Sequence, residues 1–558
     1  MVRVAAAQYA VTNDVVANLK NSVRMIEKAG KCEPDLIVLP EFANHNSWYD
    51  NAEHCYQVAI DLEGDFAQQI AQAAQRVSAY VVINCTVRRD GGDVTGTSLL
   101  FTPDGQMIGE NDKQVLIGHE NDFLVKARKP GPIIETPIGR LAMYSCMDGV
   151  INETPRGLAL RGAQILCNSL NSFALDEGSL HIPVRAAENK VFVVAANKVG
   201  PLIPQDMLEA VAEGINIPVE FLSGAGESQI VAPNGDVLAK AGQGEQVIWA
   251  DIDPSLADIK LRPDGTHIFS SRRSELYQSL GENPDSQSFP TFQGADDVLV
   301  SALAVTDLGD ALTQINLSIE HGAKLITLPE LFWQKDAPPD VLAMQSTGVV
   351  DAIKQSCPTD VYIALSIIVN TEQGYQHQGI IINDDRVVLR QAQVHGSNRL
   401  AYSPLASEFE VLDSPYGKLA LILEDDAIYP ESFRLIAMQG AQVVFAPINL
   451  QEAWQANTGI IERASENRVN IIAASPKPQD CLICSLQKDF TIMTPWQDRQ
   501  FDGLLSQCNV HTSPLVPLLA TIYPRAAENK IVSHQTHLIN SRPWQLMSAM
   551  LSPKTEQR

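Results

Sequence analysis

Three side chains in the front half of the chain are of types that could break a covalent bond. Cys146 follows the apolar run LAMYS and precedes MDG, which places it at the end of a strand, ahead of a glycine-containing turn. A thiol mounted there sits at a sheet edge within reach of substrate, as nucleophiles commonly do. Glu41 ends the run DLIVLP. A carboxylate directly after a buried strand is partly desolvated, which raises its pKa and suits it to proton transfer. Lys113 lies in GENDKQVLIGHEND. A cation beside a thiol favours thiolate and can stabilise an oxyanion. Each signal is weak alone, because free cysteines are among the most buried residues and surface lysines and loop glutamates are common. Cys481 and Cys484 form a C-x-x-C in DCLICSL. With no second ligand pair near them, they read as two small apolar residues. His119 and His181 have no metal-ligand spacing and read as satisfied polar groups.

The elements that must position these groups are legible as alternating patterns. DLIVLP, AYVVINCTV, RLAMYSC, AQILCNS and KVFVVAA read as strands, and NLKNSVRMIEKAG, DFAQQIAQAAQRV, RGLALRG and HIPVRAAEN as helices. The strand runs are apolar throughout, so both sheet faces are expected to be buried in a layered α/β domain.

The chain also repeats itself. IGRLAMYSCMDGVINETPRGLALRGAQIL (138–166) reappears as YGKLALILEDDAIYPESFRLIAMQGAQVV (416–444), an offset of 416 − 138 = 278 without gaps. The same offset pairs RAAENKVFVVAANK (185–198) with RASENRVNIIAASP (463–476). DLIVLPEF (35–42) matches KLITLPEL (324–331), and SQIVAPNGD (228–236) is set against FTIMTPWQD (490–498). Two copies of one domain are expected: a catalytic domain over 1–285, a linker over 286–297, and a second copy with a C-terminal extension over 298–558. The joining stretch GENPDSQSFPTFQGADD is rich in Pro, Gly, Ser and Asp, as linkers are.

Taken together, the ordered blocks LPEF, a lysine, CMD with ETPRGLALRGA, RAAENKVFVVAAN, GESQIVAPNGD and FSSRRSELY resemble the nitrilase (carbon–nitrogen hydrolase) superfamily over nearly all of residues 1–280. The resemblance implies an α-β-β-α sandwich, with the two tandem copies forming a pseudo-dimer. It implies a Glu–Lys–Cys triad of Glu41, Lys113 and Cys146. Glu41 takes the thiol proton, Cys146 attacks the carbon of a C–N group, and water later hydrolyses the thioester. Lys113 and the backbone N–H of Met147 hold the oxyanion, and Glu120 stands where relatives carry a second glutamate that positions substrate or water. Asp148, Glu153 and Arg156 fall in the superfamily's C-x-D…P-E-x-x-R stretch, with Asn152 where proline is usual. They are expected to form a buried ion pair under Cys146, and Arg185, Glu188 and Asn189 to order a helix against the same turn. No metal or cofactor is implied.

Cys-Met-Asp looks more like the Cys-Tyr-Asp of amidase-type branches than the Cys-Trp-Glu of true nitrilases. The expected substrate is a small linear amide or N-carbamoyl compound. The alternatives are a nitrile and, in another class, a non-catalytic binding or regulatory protein on the same scaffold. Loops around 43–56, 117–130 and 171–181 are expected to set specificity, with SLNSFALDEGS (169–179) lining the pocket. Arg88 and Arg89 read as a solvated surface pair, the alternative being capture of a substrate carboxylate.

In the second copy the offset puts Glu424 where Cys146 stands, and register puts Gln393 at the position of Lys113. Glu330 keeps the position of Glu41, and Asp426, Glu431, Arg434, Arg463, Glu466 and Asn467 keep the supporting positions. A glutamate cannot form a thioester, so this copy is expected to be catalytically silent. The tail around 520–545 is dense in apolar residues and is expected to pack on the body or across an oligomer interface. The 558 residues carry a net charge of −25, with 45% apolar and 19% charged residues. Such a surface repels phosphate backbones and anionic lipid. The start lacks a signal-peptide pattern and no run is long enough to span a bilayer. The expectation is a cytoplasmic protein, possible as a homo-oligomer, with no nucleic-acid or membrane partner.

Overall fold

The computed structural model describes residues 1–286, 294–333, 337–399, 402 and 404–553. It divides into two compact units. Unit 1 comprises Met1–Lys260, Asp489–Ser506 and Ile531–Met550, and unit 2 comprises Leu261–Lys488, Gln507–Lys530 and Leu551–Arg558. This is not the division expected from the repeat. Residues 261–285, counted with the front copy by sequence, fold in unit 2, and two segments from the far end of the chain fold in unit 1. Residues 287–293 of the expected linker lie outside the described residues.

In unit 1 the strands are β1 (Val2–Gln8), β2 (Leu36–Val38), β3 (Tyr80–Arg88), β4 (Val94–Phe101), β5 (Met107–Asp112), β6 (Ile134–Thr136), β7 (Gly139–Ser145), β8 (Ile165–Ser169), β9 (Phe192–Ala196), β10 (Val199–Pro201), β11 (Ser223–Ala225), β12 (Gln229–Val231), β13 (Val237–Lys240) and β14 (Gln246–Ile252). The helices are α1 (Val15–Gly30), α2 (Ala52–Val58), α3 (Asp65–Val77), α4 (Glu120–Phe123), α5 (Met147–Val150), α6 (Glu153–Leu160), α7 (Ile182–Asn189) and α8 (Leu208–Ile215). Two six-stranded sheets have the orders β14-β1-β2-β3-β4-β5 and β13-β12-β9-β8-β7-β6. Each has a parallel centre, β1-β2-β3 or β7-β8-β9, flanked by antiparallel strands.

The layers follow from the apolar runs. One core lies between the sheets, where Val4, Val38 and Val82 of the first meet Met143, Cys167 and Val194 of the second. Alternate residues of the first sheet, among them Ala5, Ile37 and Val81, pack outward on Met25 and Ile26 of α1 and on Ile70 and Ala74 of α3. The central strands thus bury both faces, as continuous apolar runs require. Helix α1 starts where the Asp14 side chain accepts from the N–H groups of Val16 and Ala17 at 2.9 and 3.0 Å, an N-cap. Helix α3 stops at Ser78, in the left-handed region at φ +54°. With α6 and α7 lying along the second sheet, unit 1 is the expected α-β-β-α sandwich.

Unit 2 repeats this plan with β15 (Val298–Ala302), β16 (Leu325–Thr327), β17 (Tyr362–Thr371), β18 (Gly374–Asn383), β19 (Arg386–Ala392), β20 (Val411–Ser414), β21 (Gly417–Leu421), β22 (Val443–Pro447), β23 (Asn470–Ala474), β24 (Leu482–Ser485), β25 (Asn509–His511) and β26 (Leu518–Ile522). Its helices are α9 (Leu308–Glu320), α10 (Pro339–Gln355), α11 (Glu424–Ala427), α12 (Pro430–Met438) and α13 (Ile460–Asn467). Its sheets are ordered β19-β18-β17-β16-β15-β26 and β20-β21-β22-β23-β24-β25. One repeat pairing is corrected. In the front copy β12 pairs with β9, Ile230 opposite Val194, and the strand in that place in the second copy is β24, with Ile483 opposite Ile472. The counterpart of 228–236 is therefore the segment carrying Cys481 and Cys484, both buried free thiols, and not 490–498. The 490–498 stretch has the same apolar-then-Pro-then-Asp composition but forms no ladder. Its Ile492 and Trp496 pack on Ala212 and Ile215 of α8 in unit 1. Among the described residues no helix is long and apolar enough to cross a membrane.

Candidate active site

Cys146 stands in a strained turn between β7 and α5. Its backbone has φ +43° and ψ −109°, a region that a residue with a side chain rarely occupies. The turn is over-determined by its surroundings. The N–H of Cys146 donates to the Ser169 carbonyl at 3.0 Å, and the Cys146 carbonyl accepts from Gly149 at 2.7 Å. Gly149 must be glycine, since a Cβ there would lie 2.7 Å from the Tyr144 ring. From α7, Arg185 donates to the carbonyls of Gly149 and Val150 at 2.8 and 3.0 Å and to the Glu188 carboxylate at 2.7 Å. Asn189 donates to the Arg185 carbonyl at 3.0 Å, and Arg156 to the Glu188 carbonyl and the Asn189 side chain, both at 3.2 Å. Glu153 is buried at the first position of α6.

Asp148 differs from the expected ion pair. Its Oδ1 accepts from the N–H groups of Gln114 and Val115 at 3.0 and 2.8 Å. Its carboxylate therefore ties the cysteine turn to the segment after β5 that carries Lys113, and the physical link is backbone amide to carboxylate. Met147 opens α5, so its N–H has no intrahelical acceptor.

Glu41 and Lys113 meet beside this turn. Glu41 follows β2, is fully buried, and is succeeded by Phe42 at φ +48°, whose N–H donates to Asn84 Oδ1 at 3.0 Å. Lys113 Nζ donates to Glu41 Oε1 at 2.7 Å and to Glu120 at 2.9 Å. Glu120 is fixed in turn by the N–H of Ile117 at 3.1 Å. Glu41 Oε2 has no hydrogen-bond partner among the described residues. Burial alone would lower the pKa of Lys113, but the charges of Glu120 and Glu41 overcome this and hold it well above the usual lysine range. Burial pushes Glu120 up to about 7, against the pull of Lys113. Burial also pushes the Cys146 thiol well above its ordinary range; Glu41 pushes the same way and Lys113 opposes. Burial and the neighbouring Glu41 thus favour the neutral thiol over the thiolate.

Cys146 is 8% exposed as a residue and lines a cavity of about 180 Å³ together with Met147 and Glu120. Segments 43–56, 117–130 and 171–181 each contribute, through Ser47 and Trp48, Gly118 and His119, and Phe173 and Ala174. Arg88 and Arg89 do not line it. Arg89 pairs with Glu110 and Asp112, and Arg88 caps the carbonyls of Tyr56 and Gln57.

Three features of the site were not anticipated. Glu177 acts electrostatically on Cys146. Lys198, buried at the end of β9, is pushed down to about 7 by burial. The third is the wall of Ile492, Leu505, Ser506 and Val532, from the far end of the chain. Proximity of 489–506 to residue 146 has no sequence signature beyond the apolar density of the segment.

The corresponding place in unit 2 keeps the frame and carries Glu424 and Gln393 at the positions of Cys146 and Lys113. Asp426 accepts from the N–H groups of Val394 and His395 at 3.1 and 2.7 Å, the counterpart of Asp148, which sets Gln393 in the place of Lys113. Arg463 pairs with Glu466 at 2.6 Å, Asn467 donates to the Arg463 carbonyl at 3.0 Å, and Arg434 to the Glu466 carbonyl at 3.3 Å. Glu431 pairs with Arg272 at 2.9 Å. Glu424 opens α11 after Leu423 at φ −79° and is not in the left-handed region. Arg399 fills the space between the acids, bonding Glu330 at 2.5 and 2.9 Å and Asp425 at 3.1 Å, while Arg262 bonds Asp425 at 2.7 Å. Replacing Arg399 by alanine strands the buried Glu330 carboxylate and leaves Asp425 to Arg262. It should cost unit 2 about 3–5 kcal/mol in chemical unfolding and leave the rate of any reaction at Cys146 within about twofold.

A family model for carbon-nitrogen hydrolases matches residues 3–260 and 304–476. An omega-amidase of Bos taurus is 29% identical over 289 residues, half of this chain and 96% of the relative. A nitrilase of Pyrococcus abyssi is 27% identical over 262 residues, 47% of this chain and 92% of the relative. An amidase structure from Nesterenkonia sp. AN1 superposes on 50% of this chain and 99% of its own, with a TM-score of 0.41 and 22% identity. Both repeats match the same family model, and together the matched segments exceed half of the sequence: the chain belongs to the carbon-nitrogen hydrolase family.

Proposed function

We propose that the protein hydrolyses the C–N bond of a small linear amide or N-carbamoyl compound at Cys146, with the front repeat catalytic and the second repeat silent. The observation that carries this reading is the contrast in backbone strain. Cys146 is held at φ +43° over a cavity, whereas Glu424, at the equivalent position, lies in relaxed helical backbone. Strain of this kind costs roughly 1–3 kcal/mol and persists where it serves a site.

In this reading Glu41 takes the thiol proton on its unpartnered oxygen as Sγ attacks the carbonyl carbon. The oxyanion is met by the Lys113 ammonium and the Met147 N–H. Glu41 returns the proton to the departing nitrogen, the C–N bond breaks, and ammonia or amine leaves a thioester on Cys146. Water, with Glu41 again as base and Glu120 as its orienting carboxylate, releases the acid. The similarity to amidases and a nitrilase supports the reaction class. Ammonia release from a panel of amides, N-carbamoyl compounds and nitriles tests the reading; no release from any of them favours a binding protein.

The Glu120 carboxyl supplies a pH prediction. Its pKa in the fold is about 7 against 4.5 when solvated, so its carboxylate form is filled only as pH passes neutrality. Activity that uses this carboxylate should rise between about pH 6 and pH 8 and then level, and Glu120→Gln should lower the rate and flatten the rise. The sign for stability is opposite. A raised carboxyl pKa favours the folded state below 4.5, and that contribution fades as pH rises through 7.

A further inference from the structure

Resting on the hydrolase reading above, we propose that Ile492, Leu505 and Val532 make the Cys146 cavity an acyl subsite for an uncharged, predominantly apolar group. Amides whose acyl chain ends in a carboxylate are thereby rejected. The three residues lie in unit 1 although their sequence positions belong to the second repeat. Ile117, Val150, Phe173, Leu202, Ile203 and Leu222 line the same cavity.

The polar lining argues in the same direction. Among the described residues no lysine or arginine lines the cavity, and the acids Glu120, Asp176 and Glu177 do. The Lys113 ammonium is already held by Glu41 and Glu120. His181 is committed as well: its Nε2 lies 2.8 Å from Ser506 Oγ and 3.8 Å from Asp176. A substrate carboxylate would enter beside these acids, with no lysine or arginine among the described lining residues to meet it and with His119 already paired with Asp122 at 3.2 Å, which is unfavourable. An alkyl chain loses nothing there, and each buried methylene should raise kcat/KM about fourfold.

The wall is held in place, as a specificity determinant must be. Ser506 donates its N–H and its Oγ–H to Asp176 Oδ2, both at 2.6 Å. The N–H of Leu175 donates to the Gly503 carbonyl at 2.7 Å, and the N–H of Ile492 to the Val532 carbonyl at 2.8 Å. Thr536 Oγ1 donates to the Leu116 carbonyl at 3.1 Å, beside the Lys113 segment.

The experiment compares kcat/KM of the full chain for acetamide, butanamide and hexanamide with that for succinamate and glutaramate, the half-amides of similar length that carry a carboxylate. The expected result is a rise from acetamide to hexanamide and a preference of about 100-fold or more for a neutral amide over the half-amide of matching length. Leu505→Ala should lower kcat/KM for hexanamide through KM by a larger factor than for acetamide. Leu505 is part-buried, so Leu505→Lys can be accommodated, and this cation should narrow the preference at least tenfold. Half-amides turned over as fast as neutral amides, or a preference unmoved by Leu505→Lys in a protein of native melting temperature, would overturn the proposal while leaving the hydrolase reading intact. Absence of ammonia from every amide would overturn the hydrolase reading itself.

Discussion

Cys146→Ala should abolish turnover, lowering ammonia release by about 10⁴-fold or more, the scale seen when a covalent nucleophile is deleted. The fold should survive. The side chain that is lost is small and borders a cavity, and the turn is held by backbone hydrogen bonds and by Arg185, none of which uses the sulfur. The matched control is Glu424→Gln. It keeps the shape of the residue at the equivalent position, and its amide can still accept from Gln455, whose side chain donates to Glu424 at 2.9 Å. Turnover should stay within about twofold, because a residue in a different cavity removes nothing from the transition state. Steady-state ammonia assays on the three proteins, with matched circular dichroism, decide the matter. A large loss in a folded Glu424→Gln protein refutes the silent-copy assignment.

Lys113→Met should damage both stability and rate. The ammonium, fully buried, neutralises two carboxylates at 2.7 and 2.9 Å. Its removal leaves Glu41 and Glu120 facing each other without a counter-charge. Breaking a buried pair in this way costs about 3–5 kcal/mol. One carboxyl escapes the repulsion by taking up a proton, which removes either the base or the orienting carboxylate from service. The oxyanion also loses a donor, worth about 100- to 1000-fold. The combined expectation is a loss of at least about 1000-fold in kcat/KM together with a lower unfolding midpoint. Lys113→Arg should rescue the midpoint in part and the rate little, because a planar fork cannot present one point charge to two acids and a reacting oxygen. Denaturant unfolding alongside the ammonia assay separates the two effects.

The parts of the fold that could be read from sequence are those whose physics is local. Parallel strands buried on both faces appear as unbroken apolar runs, and the five runs named from sequence in the front copy became β2, β3, β7, β8 and β9. The gapless offset of 278 likewise carried the Arg–Glu–Asn cluster onto Arg463, Glu466 and Asn467, whose geometry repeats within tenths of an ångström. Glu41 and Lys113 were legible only through the ordered set of motifs, since neither residue differs locally from an ordinary loop acid or surface lysine.

What escaped was long-range. The stretch 490–498 imitates a strand and turn in composition, yet its ladder position belongs to β24, because pairing depends on register with β23 and not on the resemblance of isolated blocks. The apolar density of 520–545 signals that the tail packs on the body, but that 489–506 and 531–550 belong to unit 1 is a docking of distant chain that no local pattern specifies. The plug in unit 2 was equally hidden, for Arg399 is one of many arginines until the fold brings it between Glu330 and Asp425.

The central claim is a covalent bond between substrate carbon and one sulfur. Acid-quenching the native protein during turnover of a small aliphatic amide, followed by peptide mass spectrometry, reads that bond directly. An acyl group is expected on the peptide carrying Cys146, absent after Cys146→Ala and never on the peptide carrying Glu424. Continuing ammonia release with Cys146 unmodified throughout, or acylation of a different residue, would contradict it.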